Sequence, residues 1–170
     1  MTSGINSMVS VPESDLITPT LAAAYPVGSE IRISNGLGYP DSVYVYIKAN
    51  GALTAYQPYI LDLGLYGGTN SAPVTLTTGA RVVVPQVGFT SGYYGWALVK
   101  GYGSALHISE TWAAGDMLQL LSGGAALVVD GTSGSTIRTV NTCAIGVAAG
   151  STAIAGTVIL NGEQATIAAS

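Results

Sequence analysis

The chain has 170 residues, of which 5 are Lys or Arg and 9 are Asp or Glu, so charged residues make up only 8% of it. An ordinary globular domain carries about 25% charged residues. A hydrophobic content of 48% excludes an intrinsically disordered chain, and a net charge of −4 excludes binding along a nucleic acid backbone. Cys143 is the only cysteine, which excludes a disulfide scaffold. We therefore expect much of the surface to be covered, either by partners or by a membrane.

The first 25 residues show neither a strand-like nor a helical periodicity. Serine, threonine and two prolines interrupt them, which is typical of chain that does not form regular structure. The segment also lacks the basic start and the apolar stretch of a secretion signal. We predict an extended N-terminal arm over residues 1–25, lying on its own domain, on a neighbouring subunit or on an assembly partner.

From Glu30 onward the sequence alternates with the period of β-strands. Residues 30–34 alternate strictly, and residues 42–48 place valine and isoleucine on one face and tyrosine and lysine on the other. Short runs of this kind recur, separated by turns that contain glycine, which is typical of all-β proteins. The sequence predicts a compact β-barrel or β-sandwich of about ten short strands.

This β-domain is predicted to be single and to span residues 26–170. Its composition changes along the chain: residues 26–112 form a Tyr/Gly-rich half, and residues 113–170 form a half built from small residues. The small side chains of the second half suit thin, tightly packed strands.

The membrane alternative depends on one run of residues. Residues 139–162 contain no charge, and the apolar run 144–160 approaches the length of a transmembrane helix. Glycine, serine and threonine dilute that run, and no basic residue anchors its C-terminal end. Asn161 and Gly162 lie between two alternating segments, as in a type I′ hairpin. We therefore expect strands here and no membrane partner.

The tyrosines are concentrated in one part of the chain. All ten lie between Tyr25 and Tyr102, and no aromatic residue follows Trp112. Tyrosine combines a rigid ring with a polar tip and is enriched at protein interfaces. The alternative is that several tyrosines close the ends of the barrel or sandwich. The candidate interface residues are Tyr44, Tyr46, Tyr56, Tyr59, Tyr66, Tyr93, Tyr94 and Trp112.

No catalytic or ligand-binding pattern can be assembled from the remaining residues. His107 is the only histidine, and no serine occupies a G-x-S-x-G turn that would place a nucleophile beside it. One histidine and one cysteine cannot complete a structural zinc site, and no glycine-rich loop is followed by the lysine of a phosphate-binding loop. We expect no enzymatic activity, no metal and no cofactor.

The C-terminal half carries short motifs in a distinctive order. A strand bounded by glycines (GWALVKG, residues 95–101) precedes a turn and strand (AAGDML, residues 113–118). A polar glycine-rich loop then leads to a third segment (AIGVA, residues 144–148) and a closing hairpin. In this order the motifs resemble those of capsid decoration (cement) proteins and related head-surface proteins of tailed bacteriophages. The Tyr-rich half has no such resemblance.

The resemblance implies a structural virion protein that binds the outer surface of a bacteriophage capsid and stabilises or decorates it. Its implied partners are the major capsid protein and further copies of itself in a homo-oligomer. The implied location is the capsid surface of the virion, after assembly in the host cytoplasm. The alternative function is a receptor- or glycan-binding β-module of a fibre or adhesin, with Trp96, Trp112 and the tyrosines as its site.

Overall fold

The structure, a computed structural model, is built almost entirely of β-strands. It describes residues 11–35, 38, 40–62, 68–69, 81–106, 112–120, 127–129, 144–147 and 155–161. These residues contain one helical turn and ten strands, which confirms the all-β class. The elements are α1 (Glu13–Leu16), β1 (Glu30–Ile33), β2 (Ser42–Ala49), β3 (Tyr59–Asp62), β4 (Gly68–Thr69), β5 (Arg81–Pro85), β6 (Tyr94–Leu106), β7 (Met117–Leu120), β8 (Leu127–Val129), β9 (Ala144–Gly146) and β10 (Ala155–Leu160).

The strands pair into one sheet in the order β1-β2-β4-β3-β5-β6-β10-β9-β7-β8, and β2 also pairs with β6. The pairings are antiparallel apart from that of β2 with β4. The β2–β4 contact joins two residues of each strand and brings the first part of the sheet back toward β2. This short contact does not make a closed barrel.

Alternate residues of β2, β5 and β6, which we call the central strands, fill two separate hydrophobic cores. In β5, Val83 lies in one core, whereas Val82 and Val84 lie in the other. In β6, Ala97 and Leu98 are divided between the cores in the same way. The inner core consists of Val45, Ile47, Ala49, Leu53, Tyr59, Leu61, Val83, Phe89, Ala97 and Val99. The outer core consists of Val82, Val84, Leu98, Ala105, Trp112, Leu118, Leu127, Ala144, Val158 and Leu160.

Strand β6 is 13 residues long and belongs to both parts of the sheet. Its first half pairs with β2 and β5, and its second half pairs with β10. Gly101 lies between the two halves with φ +88°, and a Cβ at this position would overlap the carbonyl oxygen of Asp41. Close by, the Ser42 hydroxyl donates a hydrogen bond to the Tyr102 carbonyl oxygen at 2.7 Å. Glycine therefore allows β6 to change partners while it stays against the start of β2.

The described part of the predicted N-terminal arm lies on its own domain. Residues 17–25, which we call the strap, cross the first half of β6. Thr20 and Tyr94 exchange two backbone hydrogen bonds, with N···O distances of 2.9 and 2.8 Å. The Ala24 N–H donates to the Tyr46 hydroxyl at 3.0 Å. Residues 1–10 of the predicted arm lie outside the described residues.

The apolar run at residues 144–160 contributes strands where the structure describes it. β9 and β10 both fall within it and pair with each other. In the described parts of the chain, no helix has the length and apolar character needed to cross a membrane. Gly162, half of the predicted Asn161-Gly162 turn, lies outside the described residues.

The close approach of Gly101 to Asp41 yields a prediction with a matched control. Gly28 has almost the same φ, +87°, but nothing lies within 4 Å of a Cβ built on it. Gly28→Ala therefore tests backbone strain alone, which costs about 1–2 kcal/mol. Gly101→Ala adds an overlap with backbone, and we expect it to lose about 2 kcal/mol more than Gly28→Ala. Urea unfolding followed by circular dichroism measures both, and equal losses would contradict the proposed role of Gly101.

Candidate binding surface

Three of the predicted interface residues lie in the interior of the chain. Tyr46 and Trp112 are each 2% exposed and Tyr59 is 4% exposed. The Tyr59 hydroxyl accepts a hydrogen bond from the Thr54 N–H at 2.8 Å, which satisfies its polar end. Tyr44 is half-buried against the outer core, and burial raises the pKa of its hydroxyl. Tyr46, Tyr59 and Trp112 thus contribute packing to the fold and present almost no area to a partner.

The other predicted interface residues that the structure describes are more accessible. Tyr56 is exposed and adopts a positive φ of 65°, with its N–H donating to the Pro85 carbonyl at 2.7 Å. Tyr93 and Tyr94 are partly exposed at the start of β6. Tyr66 lies outside the described residues. An interface role for the predicted residues stays a prediction. Among the described residues, it now concerns the tyrosines whose side chains reach the surface.

Four aromatic side chains pack together beneath and beside the strap, and we call them the aromatic cluster: Tyr25, Tyr46, Tyr94 and Trp96. Tyr46 and Trp96 are cross-strand partners, with ring centroids 5.0 Å apart. Tyr25 of the strap contacts both rings, with each centroid distance 5.3 Å. Lys48 adds a cation–π contact, its Nζ lying 5.5 Å from the centroid of Tyr94. The strap is therefore held by ring packing as well as by backbone hydrogen bonds.

The burial of both tryptophans bears on the glycan-binding alternative. A sugar stacks on the exposed face of an aromatic ring, but Trp96 is 1% exposed and Trp112 is 2% exposed. The Nε1 of Trp96 is buried with no hydrogen-bond partner among the described residues. In this structure neither tryptophan presents a ring face to solvent, so this alternative loses the two side chains on which it chiefly depended.

A tight turn and two glycines hold the Trp112 side chain in place. In the turn at residues 113–116, the Asp116 carboxylate accepts from the Ala113 N–H at 2.7 Å. The Gly115 N–H donates to the Gly146 carbonyl at 2.8 Å, and the Gly146 N–H donates to the Asp116 carbonyl at 3.0 Å. A Cβ on Gly146 would lie 3.0 Å from the indole Cδ1 of Trp112.

Gly156 on β10 forms the second glycine contact of Trp112. A Cβ at Gly156 would overlap the six-membered ring of the indole. The two glycines thus leave room for the indole ring against β9 and β10. This packing ties the turn before β7 to β9 and β10, and it fixes the position of those strands on the outer core.

Strands β7, β9, β10 and β6 carry a continuous row of apolar side chains, which we call the apolar row: Met117, Ile145, Ile159 and Tyr102. Each residue lies directly opposite the next, since Met117 pairs with Ile145, Ile145 with Ile159, and Ile159 with Tyr102. Directly paired residues point to the same face of a sheet. Met117 is 56% exposed and Ile145 is 42% exposed, whereas Ile159 and Tyr102 are half-buried.

The opposite face of these strands is buried. The residues next in sequence to the apolar row, Leu118, Ala144, Val158 and Leu160, are at most 2% exposed and belong to the outer core. The strands β7, β9 and β10, which we call the C-terminal strands, therefore have two apolar faces. Only one of these faces is covered by the described part of the chain.

An open pocket adjoins the apolar row. Its volume is about 240 Å³, and it is lined by Pro40, Lys100, Gly101, Ile145, Ile159, Leu160 and Asn161. Two of these residues, Ile145 and Ile159, belong to the row itself. Lys100 contributes the pocket's one formally charged side chain, and its side chain is exposed.

Met117, Ile145 and Ile159 are not among the candidate interface residues predicted from the sequence, which are all aromatic. The signal was present in the sequence, because the segments MLQL and AGTVIL have apolar residues at odd and even positions. Such a pattern predicts a strand with both faces covered.

The metal-binding side chains of the described residues do not cluster. Among them, no three His, Cys, Asp or Glu side chains come together in an arrangement that could hold a metal ion. His107 and Cys143 lie outside the described residues. The absence of enzymatic activity stays a prediction.

Comparisons with known proteins add no identification. No protein-family model matches the chain, and no curated protein matches it. The resemblance to capsid decoration proteins therefore remains an inference from the order of short motifs.

The packing of Trp112 against Gly156 can be tested by a double-mutant cycle. We expect Gly156→Ala to lower the free energy of unfolding by about 1–3 kcal/mol, because the added methyl group overlaps the indole. In a Trp112→Phe background, which lacks the six-membered ring of the indole, the same substitution is expected to cost clearly less. Gly88→Ala is the matched control, since its Cβ meets the Leu53 carbonyl oxygen at an ordinary 3.5 Å. Equal costs of Gly156→Ala in both backgrounds would show that the two sites do not interact.

The strap gives a pH-dependent prediction. The Tyr25 hydroxyl donates to the Asp15 carboxylate at 2.6 Å, and this hydrogen bond, then burial, then the Asp15 charge raise the pKa of Tyr25 above its ordinary 10.0. A raised pKa means that the bond's contribution to stability is complete below pH 10 and is lost as pH rises through the folded-state value.

We therefore expect Tyr25→Phe to be less stable than the wild type at pH 7, with the difference disappearing as pH rises above 10. Urea unfolding at a series of pH values measures that difference. A difference that stays constant up to pH 11 would exclude a contribution from the Tyr25–Asp15 hydrogen bond.

Proposed function

We propose that the chain is a structural protein that binds the outer surface of a tailed-bacteriophage capsid, with the apolar row as the contact face. The apolar row is the observation that carries the proposal. Contiguous patches of exposed apolar side chains mark sites where a protein binds a partner. This row crosses four neighbouring strands and lies on a rigid sheet rather than on loops.

The distribution of charge supports a protein partner. The strands β7, β9 and β10 contain no charged residue at all. Interface centres are depleted in charge, and a bare apolar sheet face favours a partner surface that is itself apolar at its centre. A nucleic acid would require a basic surface instead.

The motifs that carry the resemblance also supply the row. Met117 lies in the AAGDML segment, and Ile145 lies in the AIGVA segment. The glycine of the second segment, Gly146, seats Trp112 on the buried face while Ile145 remains on the exposed face. One short motif therefore supports both the packing of the strand and the presentation of the contact residue, as a decoration protein requires.

Binding to a capsid also explains how a small contact face can suffice. A decoration protein repeats over a symmetric shell, and contacts between its own copies link many binding events, so weak individual contacts add up to stable attachment. We propose the major capsid protein and further copies of this chain as the partners, and the capsid surface as the location.

The proposal is tested by replacing one residue of the row. Ile145→Glu places a charge at the centre of the apolar row, and it leaves the buried face of β9 unchanged. We expect at least a tenfold, that is about 1.4 kcal/mol, weaker binding to capsids of the virus that encodes the chain, measured by co-sedimentation over a range of concentrations.

The matched control is Thr90→Glu, which places the same charge on an exposed residue of the turn before β6. Circular dichroism and the unfolding midpoint establish that both variants fold. The proposal fails if the folded wild type does not sediment with capsids at micromolar concentration, or if both variants bind as the wild type does.

A further inference from the structure

The pocket beside the apolar row combines an aliphatic wall with a single cation. The side chains of Ile145 and Ile159 form the wall, and Pro40 borders the pocket. Its volume of about 240 Å³ exceeds the roughly 150 Å³ of a protein cavity that takes up benzene. The pocket is thus large enough for an aliphatic side chain supplied by another molecule.

Lys100 places a positive charge at the edge of this pocket, which favours a ligand with a negative charge. Its side chain is exposed, and no ion pair or hydrogen bond of that side chain occurs among the described residues. Lys48, the exposed lysine on β2, instead lies over the ring of Tyr94. A cation next to an apolar wall complements a ligand that has both an apolar group and a negative charge.

The position of Lys100 is fixed by the fold. It immediately precedes Gly101, where β6 changes pairing partners, and it pairs with Val43 of β2. The side chains of the wall come from β9 and β10, which pair with each other through Ile145 and Ile159. The cation and the wall therefore belong to neighbouring strands of one sheet, and a ligand meets them together.

We propose that this pocket binds a segment of the partner protein in which an aliphatic side chain lies next to a carboxylate. The aliphatic group packs on Ile145 and Ile159, and the carboxylate pairs with the ammonium group of Lys100. This inference rests on the proposed function, because it names the chemistry by which the capsid partner is recognised at the middle of the apolar row, where Ile145 and Ile159 lie.

Two small probes test the pocket without a capsid. N-acetyl-leucine carries an aliphatic side chain beside a carboxylate, and N-acetyl-leucinamide is the same molecule without the charge. Titration of each into ¹⁵N-labelled full-length chain, followed by NMR, reports binding residue by residue. We expect millimolar binding with shifts at Gly101, Ile145 and Ile159. The acid should bind about threefold more tightly than the amide, as a solvent-exposed ion pair allows.

Lys100→Gln is expected to remove the preference for the acid and to leave binding of the amide unchanged. Lys48→Gln, the matched control on β2, is expected to keep the preference. The inference is overturned if neither probe shifts the pocket residues, or if acid and amide bind the wild type equally. It is also overturned if the same resonances shift with protein concentration alone, because a second copy of the chain would then occupy the pocket.

The outcome of the probe titrations can be distinguished from the outcome of the capsid experiment. If capsids bind through the apolar row but the probes fail, the pocket assignment is wrong and the proposed function stands. If the probes bind as expected but capsids do not, the pocket chemistry stands and its partner is a different protein.

Discussion

The fold depends on the change of pairing partners along β6 at Gly101. The first half of this strand pairs with β2 and β5 and the second half with β10, and the two halves meet at a glycine with φ +88°. The close approach of Asp41 and the positive φ leave room for glycine alone. The face of β6 that carries Leu98 packs with Val82 and Val84 of β5 and with residues of the C-terminal strands, and these side chains together form the outer core.

The apolar surface created by the central strands is covered in two different ways. Around Tyr46 and Trp96 the strap covers it, through Tyr25 and the backbone bridge at Thr20. Further along, the C-terminal strands cover it with one of their own faces. The other face of the C-terminal strands carries the apolar row, in which Met117 and Ile145 are exposed. The scarcity of charge in the sequence therefore corresponds to a defined surface as well as to two buried cores.

The sequence predicted the class of fold because strand periodicity is a local property. Alternation in residues 42–48 identified β2, and the structure confirms a strand there. The packing of Trp112 on Gly146 and Gly156 could not be predicted, because it joins residues that are far apart in the chain. The aromatic residues were poor indicators of the surface for the same reason: Tyr46 and Tyr59 are covered by segments whose position no local pattern reveals. The row of Met117, Ile145, Ile159 and Tyr102 requires the register of three pairings, which only the folded chain supplies.

The central claim is that the apolar row is the face that meets another protein. The most direct measurement is a cryo-electron microscopy reconstruction of the capsid with this chain bound, at a resolution that distinguishes the faces of the sheet. The account predicts that Met117, Ile145 and Ile159 pack against the capsid protein, with Lys100 next to a carboxylate of the capsid. A reconstruction in which the apolar row faces solvent and another surface of the chain touches the capsid would contradict it.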